Sequence, residues 1–291
     1  MELDCSLSNP QLHLLAYATR SILNFKIKST VMDRLFDRVV VCPPAKTYVN
    51  CVSTNPEHDT IDVNLALKQH QEYVNILREN DIHVIELEPQ EKHPDSCFVQ
   101  DTAVIGTSVA VICRFGEKSR RGEEEIIRKI LEKEMPVRSI KAPGTLEGGD
   151  VLVTDQGIIF VGETKRTNRN GINQLARCFP HINVEVVPVS SILHLMSACS
   201  YLGNKTIVVC PKYVDSNIFQ GFKLIKVPEE EVYATNLLYI GDKKVLMPEG
   251  YPKTRNKLRK AGFKPIEVNL SEFWKGDGGV TCLSLPFYKC I

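Results

Sequence analysis

The sequence predicts an α/β fold, built as a propeller from about five strand–strand–helix–strand modules. Short runs rich in Val and Ile alternate with amphipathic stretches, which is how strands and helices differ in sequence. The same order of elements returns roughly every 45 residues, a spacing typical of propellers and arrays. Because only one early strand is clear in the first round, an ordinary open α/β sheet is the alternative.

Before the first module, the sequence predicts an N-terminal helical extension over 1–36, for which no role is assigned. Its stretch "LHLLAYATRSILNF" carries apolar residues at helical spacing. A single α/β-propeller domain then occupies 37–291. The helix of its first module is amphipathic, with Val63, Leu67, Val74 and Leu77 predicted on one face.

The later modules repeat the pattern with clear strands and helices. Pairs of apolar strands are followed by helices with polar faces and then by a further strand, and "GGVTCLSL" returns to the sheet at the end of the chain. The helices are expected at "GEEEIIRKILEKE", "NGINQLARCF", near "YVDSNIF", and at "PKTRNKLRKAG".

Composition excludes several classes of protein. A net charge of +1 without a Lys/Arg run argues against a nucleic-acid partner. The apolar runs are far shorter than the roughly 18 residues of a membrane span, and no long apolar segment at the N-terminus indicates a signal peptide. Ten cysteines without a CxxC pair indicate a reducing, cytoplasmic location rather than a disulfide framework or zinc motif.

Four chemically active side chains recur at equivalent points of the modules. Glu147, in "TLEGGDVL", lies 46 residues after Asp101 and 47 residues before His194. Cys282 follows 88 residues after His194, close to two further repeats. Equivalent points of modules arranged about an axis meet at that axis, so we expect these four side chains to share one pocket.

The four residue types suit one reaction. A Cys thiolate is a nucleophile and a His is its proton partner. Two carboxylates buried beside them require a cation, and a planar guanidinium binds carboxylates in bidentate fashion. The set indicates a guanidino substrate whose central carbon meets the sulfur. A zinc site made by the same four residues is the metal alternative.

Taken singly, these residues have structural interpretations. "TLEGGDVL" suits a turn, because Gly adopts conformations closed to other residues and Asp closes turns. Asp101 suits a turn or cap, while His194 and Cys282 lie among apolar residues as core side chains do. The shared period favours the functional interpretation.

Basic residues precede two predicted helices. Arg120 and Arg121 precede one, and Lys165, Arg166 and Arg169 precede the other. Arg clusters at helix starts suit anions, and solvated surface charge is the structural alternative. An anion site facing a guanidinium site describes an arginine-like molecule.

Six motifs in order carry a resemblance to a known family. "HPDSCFVQDTAVI", "KSRRGE", "TLEGGDVL", "VGETKRTNRNG", "LHLMSACSYLG" and "GGVTCLSL" together resemble the dimethylarginine dimethylaminohydrolases of the guanidino-modifying, or pentein, superfamily. The likeness runs from about residue 38 to 285 and implies a five-bladed α/β propeller.

The resemblance implies a mechanism without a cofactor. In that family a Cys attacks the guanidinium carbon, and a His protonates the departing amine and then activates water to hydrolyse the covalent thiouronium. The implied nucleophile is Cys282 and the implied acid/base is His194. Glu147, counted with the catalytic residues, and Asp101 hold the guanidinium.

Substrate contacts are implied at the other end of the ligand. Arg120 and Arg166 clamp the carboxylate, while Asp95 and backbone carbonyls near Asp277 bind the amino group. The turn-rich segment 43–56 is implied as a lid.

One position departs from the family. Gln100 stands beside Asp101 where dimethylargininases commonly carry Glu, so the charge changes by one and an amide N–H becomes available. The exact substrate therefore stays open, and hydrolysis of free arginine by a deiminase or dihydrolase route is the first alternative. A non-catalytic binding or signalling protein on the same fold is the second. The partner is expected to be a small arginine derivative, and the sequence leaves a homo-oligomer open.

Overall fold

The computed structural model describes residues 33–189 and 191–291. The predicted N-terminal helix over 1–36 falls outside these ranges, apart from 33–36. The first strand begins at Phe36. None of the helices in the described ranges combines the length and hydropathy that a membrane span needs.

Three of the four sheets are triplets with one common pattern. In each, the first two strands are antiparallel and the central strand pairs in parallel with the third. The triplets are β6 (Val151–Val153), β7 (Ile158–Glu163) and β8 (Asn183–Pro188); β9 (Cys199–Tyr201), β10 (Thr206–Val209) and β11 (Lys223–Lys226); and β12 (Leu238–Gly241), β13 (Lys244–Pro248) and β14 (Lys264–Val268).

The fourth sheet has six strands and consists of two such triplets joined edge to edge. One triplet is β3 (Ala103–Ile105), β4 (Ala110–Ile112) and β5 (Val137–Ser139); the other is β15 (Leu285–Tyr288), β1 (Phe36–Val41) and β2 (His83–Glu86). The strand missing from the first predicted round is therefore β15, which comes from the end of the chain and pairs antiparallel with β1. The triplets join where Phe287 lies opposite Ile105.

Parallel neighbouring strands need a long crossover connection, and in four of the five triplets this connection contains an α-helix. The α-helices are α1 (Val63–Glu79), α2 (Glu124–Leu131), α3 (Arg169–Cys178), α4 (Pro252–Lys260) and α5 (Ser271–Lys275). In the fourth round a 3-10 turn, Ser216–Phe219, takes the place of the helix. The predicted α/β class and module order are confirmed. Because the described strands fall into four sheets, the alternative of one open sheet is wrong.

Local chemistry explains the first helix. Asp62 caps α1 by accepting hydrogen bonds from the backbone N–H groups of Asn64 and Leu65. Val74 and Leu77 are buried as predicted, but Leu67 is 39% exposed. The buried face also contains Ala66, Gln69, His70 and Tyr73. Since each residue turns the helix by about 100°, Leu67 lies at the edge of that face.

A short turn precedes the first strand of every triplet, and these turns position the site. The turns are Val99–Thr102, Gly148–Asp150, Leu195–Ser197, Glu229–Thr235 and Thr281–Leu283. Most of their residues are buried, apart from the exposed Glu229 and Glu230 and four half-buried residues. Cys282 therefore lies in a turn, three residues before β15 begins, rather than in the strand itself.

Candidate active site

A buried cluster joins three of the four side chains selected by their period. His194 Nε2 lies 2.9 Å from Glu147 Oε2, and His194 Nδ1 lies 4.0 Å from Asp101 Oδ1. All three side chains are at most 5% exposed. Each comes from the turn before a different first strand, so the repeat brings distant segments together.

The glycine pair of "TLEGGDVL" allows these turns to approach closely. A Cβ on Gly148 would lie 2.0 Å from the carbonyl oxygen of Gln100, and a Cβ on Gly149 would lie 2.7 Å from His194 Nδ1. Any side chain at either position would push the neighbouring turn away. The Gly149 N–H also donates to Asp101 Oδ1 over 2.8 Å. Close approach, rather than turn formation alone, accounts for the two glycines.

Asp150 fixes the segment that carries His194. Its Oδ1 accepts from the Leu195 N–H over 2.9 Å, and its Oδ2 accepts from the Thr164 hydroxyl over 2.8 Å. Burial raises the pKa of Asp150 to about 6, although His194 and these donors oppose the shift. The second carboxylate of the motif thus holds the backbone next to the imidazole.

The ionisation of the pair is set by competing effects. Burial disfavours a charged imidazole, but the carboxylates of Asp101, Asp150 and Glu147 outweigh it and raise the pKa of His194. Burial likewise opposes ionisation of Glu147, yet its hydrogen bond and charge interaction with His194 lower its pKa. At neutral pH the pair is an imidazolium and a carboxylate, and His194 carries a proton that it can donate.

Glu147 also accepts from the backbone. The N–H groups of Gly116 and Glu117 donate to its Oε1 over 3.0 and 3.2 Å. These bonds leave Oε2 directed at His194. They also fix the carboxylate through backbone groups, which cannot rotate away as a side chain can.

Arg120 is buried among carboxylates of the chain itself. Its guanidinium donates to Asp101 Oδ2 over 2.7 Å and to Glu123 Oε2 over 2.9 Å. A further N–H contacts the carbonyl of Phe98, and the cation lies 4.6 Å from the ring centre of Phe115. Clamping a substrate carboxylate, as the sequence predicted, would require this guanidinium to share these partners.

Arg166 is less constrained. Its side chain is 14% exposed, and its guanidinium lies 3.4 Å from Glu147 Oε2 and 4.0 Å from Glu117 Oε2. These distances are long for charge-assisted hydrogen bonds. The guanidinium of Arg166 can therefore turn toward an incoming anion.

Cys282 lines a cavity of about 300 Å³, near the lower end of the size range of ligand pockets. Trp274, Tyr233 and Leu193 supply apolar walls, and Asp277 contributes a carboxylate. The Gly279 N–H donates to Cys282 Sγ over 3.3 Å. The cavity thus presents a sulfur with a fixed backbone donor.

The thiol is neutral in the free protein. Burial raises the pKa of Cys282 to about 12, and the nearby charge of Asp101 adds to the shift. The same Asp101 carboxylate that approaches His194 therefore acts on the sulfur as well. A bound cation would oppose both effects and favour the thiolate.

Asp95 and Asp277 hold the predicted lid. Both carboxylate oxygens of Asp95 accept from the Val52 N–H, over 3.1 and 3.2 Å. Asp277 Oδ2 accepts from the Thr54 N–H over 2.6 Å and from the hydroxyls of Thr54 and Ser53. The two residues expected at the substrate's amino end thus bind the lid backbone in this structure.

Gln100 turns away from the main cavity. Its Nε2 lies 3.6 Å from Met196 Sδ, and its Oε1 is buried without a hydrogen-bond partner among the described residues. It lines a small cavity with Leu152 and Leu237 instead. The structure therefore separates Gln100 from its neighbour Asp101.

Among the described residues, one group has the geometry to hold a metal ion. Potential ligand atoms of Asp101, Glu147 and His194 lie within 4.8 Å of one another. Cys282, the fourth ligand of the zinc alternative, does not belong to this group. In this structure His194 and Glu147 are instead bonded to each other.

Sequence reasoning missed Glu123, the second carboxylate on Arg120. Burial raises its pKa to about 7 against the opposing effect of Arg120. The signal was present in "KSRRGEEE", because Glu123 lies three residues after Arg120. The acidic run instead suggested a helix start, which α2 confirms with Glu124 and Glu125 in its first turn.

Comparison with known proteins is consistent with this geometry. A family model described as N,N dimethylarginine dimethylhydrolase, eukaryotic, matches residues 47–289. An uncharacterised protein of Aeropyrum pernix is 44% identical over 89% of this chain and 98% of its own. The N(G),N(G)-dimethylarginine dimethylaminohydrolase of Pseudomonas aeruginosa is 37% identical over 87% of this chain and 100% of its own. A solved Cys-to-Ser variant of that enzyme with citrulline superposes with a TM-score of 0.83, at 36% identity, over 87% and 100% of the two chains.

Proposed function

Because the chain belongs to the dimethylarginine dimethylaminohydrolase family, we propose that it hydrolyses the guanidinium C–N bond of a methylated arginine to give citrulline and dimethylamine. The observation that carries the proposal is the buried cluster of Asp101, Glu147 and His194 beside a cavity lined by Cys282. Two carboxylates, a proton donor and a nucleophile are what this reaction needs.

The first half of the reaction forms a covalent intermediate. The substrate guanidinium balances the carboxylates and lowers the pKa of Cys282, so the thiol releases its proton to the solvent and the sulfur attacks the central carbon. The His194 imidazolium then gives its proton to the departing dimethylamine as the C–N bond breaks. An S-alkylthiouronium on Cys282 remains, and His194 is neutral.

The second half uses the same imidazole as a base. Neutral His194 takes a proton from water, and the hydroxide adds to the thiouronium carbon. The C–S bond then breaks as the hydroxyl proton passes to the departing sulfur, which releases citrulline and restores the neutral thiol, with His194 protonated again. Glu147 supports both halves, because its carboxylate favours the protonated ring and fixes its orientation.

The far end of the substrate is proposed to bind at the cavity rim. The guanidinium of Arg166 is the less constrained of the two and binds the substrate carboxylate. The guanidinium of Arg120 adds positive charge near that carboxylate while it stays bonded to Asp101. Asp95 and Asp277 receive the amino group and couple it to the lid, since both carboxylates already bind segment 51–55. Gln100 acts on substrate choice from behind the site, through Met196.

We further propose that the five triplets form a five-bladed propeller and that 37–291 is one catalytic domain. The common strand order of the triplets supports this arrangement, and the site turns then converge at its axis. A cytoplasmic location fits the described cysteines, all of which are free. The reaction proposed here involves no cofactor and no zinc.

Free arginine is the second candidate substrate. A guanidinium without methyl groups would meet the same carboxylates and sulfur. The neutral Gln100 leaves one negative charge fewer behind the site than Glu would. In that case ammonia leaves instead of dimethylamine. A binding or signalling role on the same fold would need none of this proton chemistry.

A substrate panel with product identification tests the proposal. Purified protein is incubated with asymmetric dimethylarginine, monomethylarginine and arginine, and citrulline, ornithine, dimethylamine and ammonia are quantified. We expect citrulline and dimethylamine in equal amounts, and none from Cys282→Ser. Citrulline or ornithine from arginine alone would move the assignment to the second candidate. No turnover of any guanidino compound would support the binding role.

A further inference from the structure

One of the five equivalent turns carries a residue to which the proposed function gives no task. Asp101, Glu147, His194 and Cys282 belong to four of the turns that precede a first strand. The fifth turn, Glu229–Thr235, ends at Asn236 before β12. Asn236 lies 42 residues after His194 and 46 before Cys282, close to the spacings of 46 and 47 that separate Asp101, Glu147 and His194.

Asn236 connects the segments of the two proposed catalytic residues. Its Nδ2 donates to the carbonyl of Met196 and to the hydroxyl of Thr281, each over 3.0 Å. Its Oδ1 accepts from the Thr281 N–H over 2.8 Å. Met196 lies two residues after His194, and Thr281 directly precedes Cys282. One buried carboxamide, 4% exposed, therefore links both segments.

The bond to Thr281 determines where that hydroxyl can donate. Because the Thr281 oxygen accepts from Asn236, its own proton is free for another acceptor. Cys282 Sγ is the acceptor next along the chain: the Gly279 N–H donates to it over 3.3 Å, and the Thr281 side chain acts to lower the pKa of the thiol.

A close packing contact limits the freedom of Asn236. A Cβ on Gly279 would lie 2.6 Å from Asn236 Cγ, so the glycine lets the carboxamide lie against the nucleophile turn. Its neighbours are also anchored, since Thr235 donates to the Ser197 carbonyl and the Leu237 N–H donates to Ser200.

We propose that Asn236 is a positioning residue of the reaction, which holds the His194 turn against the Cys282 turn and directs the Thr281 hydroxyl at the sulfur. The effect of Asn236 on catalysis rests on the proposed function. Its effect on the reactivity of the Cys282 thiol does not. Asn236 lines the same cavity as Cys282, and its side chain is bonded to Thr281 and Met196, through which it acts.

Two variants separate this role from general structure. Asn236→Asp keeps the shape and the acceptor for Thr281 N–H but removes the amide donors, and its carboxylate draws the Thr281 proton away from the sulfur. Thr281→Val removes the hydroxyl and keeps the backbone bond to Asn236. The measurement is the rate at which iodoacetamide alkylates Cys282, followed by mass spectrometry of the peptide at a fixed pH.

At a fixed pH below the pKa of the thiol, we expect the alkylation rate of Cys282 to fall about tenfold or more in both variants, because one unit of pKa changes the thiolate fraction tenfold. Because both variants act on the same hydroxyl, the double variant should not multiply the two losses. With substrate, kcat should fall about tenfold at constant pH while KM changes less than about threefold.

Ser200→Ala is the matched control, because it loosens the same 235–237 segment without touching Thr281 or Met196. It should lower the melting temperature and leave the alkylation rate unchanged. An unchanged rate in Thr281→Val, or an equal loss in Ser200→Ala, would overturn the proposal even if Asn236→Asp fails to fold. Alkylation needs no turnover, so a wild-type protein without activity would refute the proposed function and leave this inference to be judged by the alkylation rates.

Discussion

Glu147 and His194 form an ion pair inside the protein, with 2.9 Å between Oε2 and Nε2. Glu147 has no measurable exposure, and backbone N–H groups of two residues occupy its other oxygen. The carboxylate therefore favours the protonated imidazole and fixes the direction of its proton. Both effects are needed if His194 is to protonate a leaving amine.

Glu147→Gln should lower kcat by about 10² or more, the usual scale for an impaired general acid. Asp101 and Asp150 still favour the charged ring, but without the Glu147 carboxylate less opposes the effect of burial. The pKa of His194 therefore falls, so the acid form is lost at lower pH. The measurement is the pH dependence of kcat, whose alkaline limb should move to lower pH.

The control for this change is Glu163→Gln, which removes a carboxylate from a surface pair with Arg169. It should keep the wild-type pH profile. An alkaline limb that stays in place in Glu147→Gln would assign the group that titrates there to a residue other than His194.

The raised pKa of His194 predicts a pH dependence of stability. The folded protein holds a proton on this ring at pH values where the unfolded chain, with an ordinary pKa of 6.5, has lost it. The stabilisation is complete below about pH 6.5 and is lost as pH rises through the folded pKa, with a slope of at most about 1.4 kcal/mol per unit. Urea unfolding between about pH 7 and 8.5 measures it.

His194→Gln should flatten this slope. Burial raises the pKa of Glu123 to about 7, and the ordinary pKa of cysteine is 9.0, so Glu123 contributes at the lower end of this window and the buried cysteines at its upper end. Both contributions are common to the wild type and the variant, so the difference between their slopes reports on His194. An equal slope in the variant would show that the decline arises elsewhere.

The period of the modules made the site predictable. Turns before β3, β6 and β9 bring Asp101, Glu147 and His194 within contact, as the spacing required, because each module repeats the same geometry. The partners of these residues were harder to predict. The bond of Asp277 to Thr54 joins positions 223 residues apart, and no local pattern encodes such a contact.

The same limit applies to the face of α1 and to Gln100. Helical spacing placed Leu67 with Val74, but packing selects the face centred on Tyr73 and leaves Leu67 exposed. The direction of the Gln100 side chain depends on Met196, 96 residues away. Periodicity predicts which turns meet, and it does not predict where each side chain in a turn points.

Arg120 and Arg166 should have different roles, the first in stability and the second in substrate binding. Arg120→Ala leaves Asp101 and Glu123 buried without their cation, so stability should fall by about 3–5 kcal/mol. Arg166→Ala should cost far less stability, because its contacts are long and it is partly exposed. Instead its KM for dimethylarginine should rise about tenfold, with no change for an N,N-dimethylated alkylguanidine that lacks a carboxylate.

Thermal unfolding and steady-state kinetics measure these effects, with Arg169→Ala as the surface control. An equal loss by Arg166→Ala on both substrates would remove the carboxylate clamp from the mechanism. A wild-type melting temperature for Arg120→Ala would contradict the stabilising role of its ion pairs with Asp101 and Glu123.

Asp277→Asn should release the lid. Asp277 has a φ of 59°, a conformation that Asn tolerates as well as Asp, so the change mainly removes charge from the acceptor of three hydrogen bonds. The Thr54 amide should exchange with solvent about tenfold faster, and KM should rise by a similar factor.

Asp215→Asn, in a turn where the carboxylate also accepts from a backbone N–H, is the control for loss of charge alone. If Thr54 exchange is unchanged while KM rises, Asp277 binds the substrate without holding the lid.

Gln100 has a buried carboxamide whose Oε1 lacks a partner among the described residues, which costs about 1–3 kcal/mol. Gln100→Met, of similar volume, should therefore raise the melting temperature. Gln100→Glu should lower it, and more at about pH 8 than at pH 5, since a buried carboxyl has a raised pKa and resists ionisation. Calorimetry at both pH values measures the change in melting temperature of each variant.

Substrate preference then decides why a destabilising amide is present at position 100. If Gln100→Met is more stable and equally selective, the residue has no part in choosing the substrate. If the gain in stability comes with a changed ratio of kcat/KM for dimethylarginine and arginine, the amide is kept for specificity at a cost to the fold.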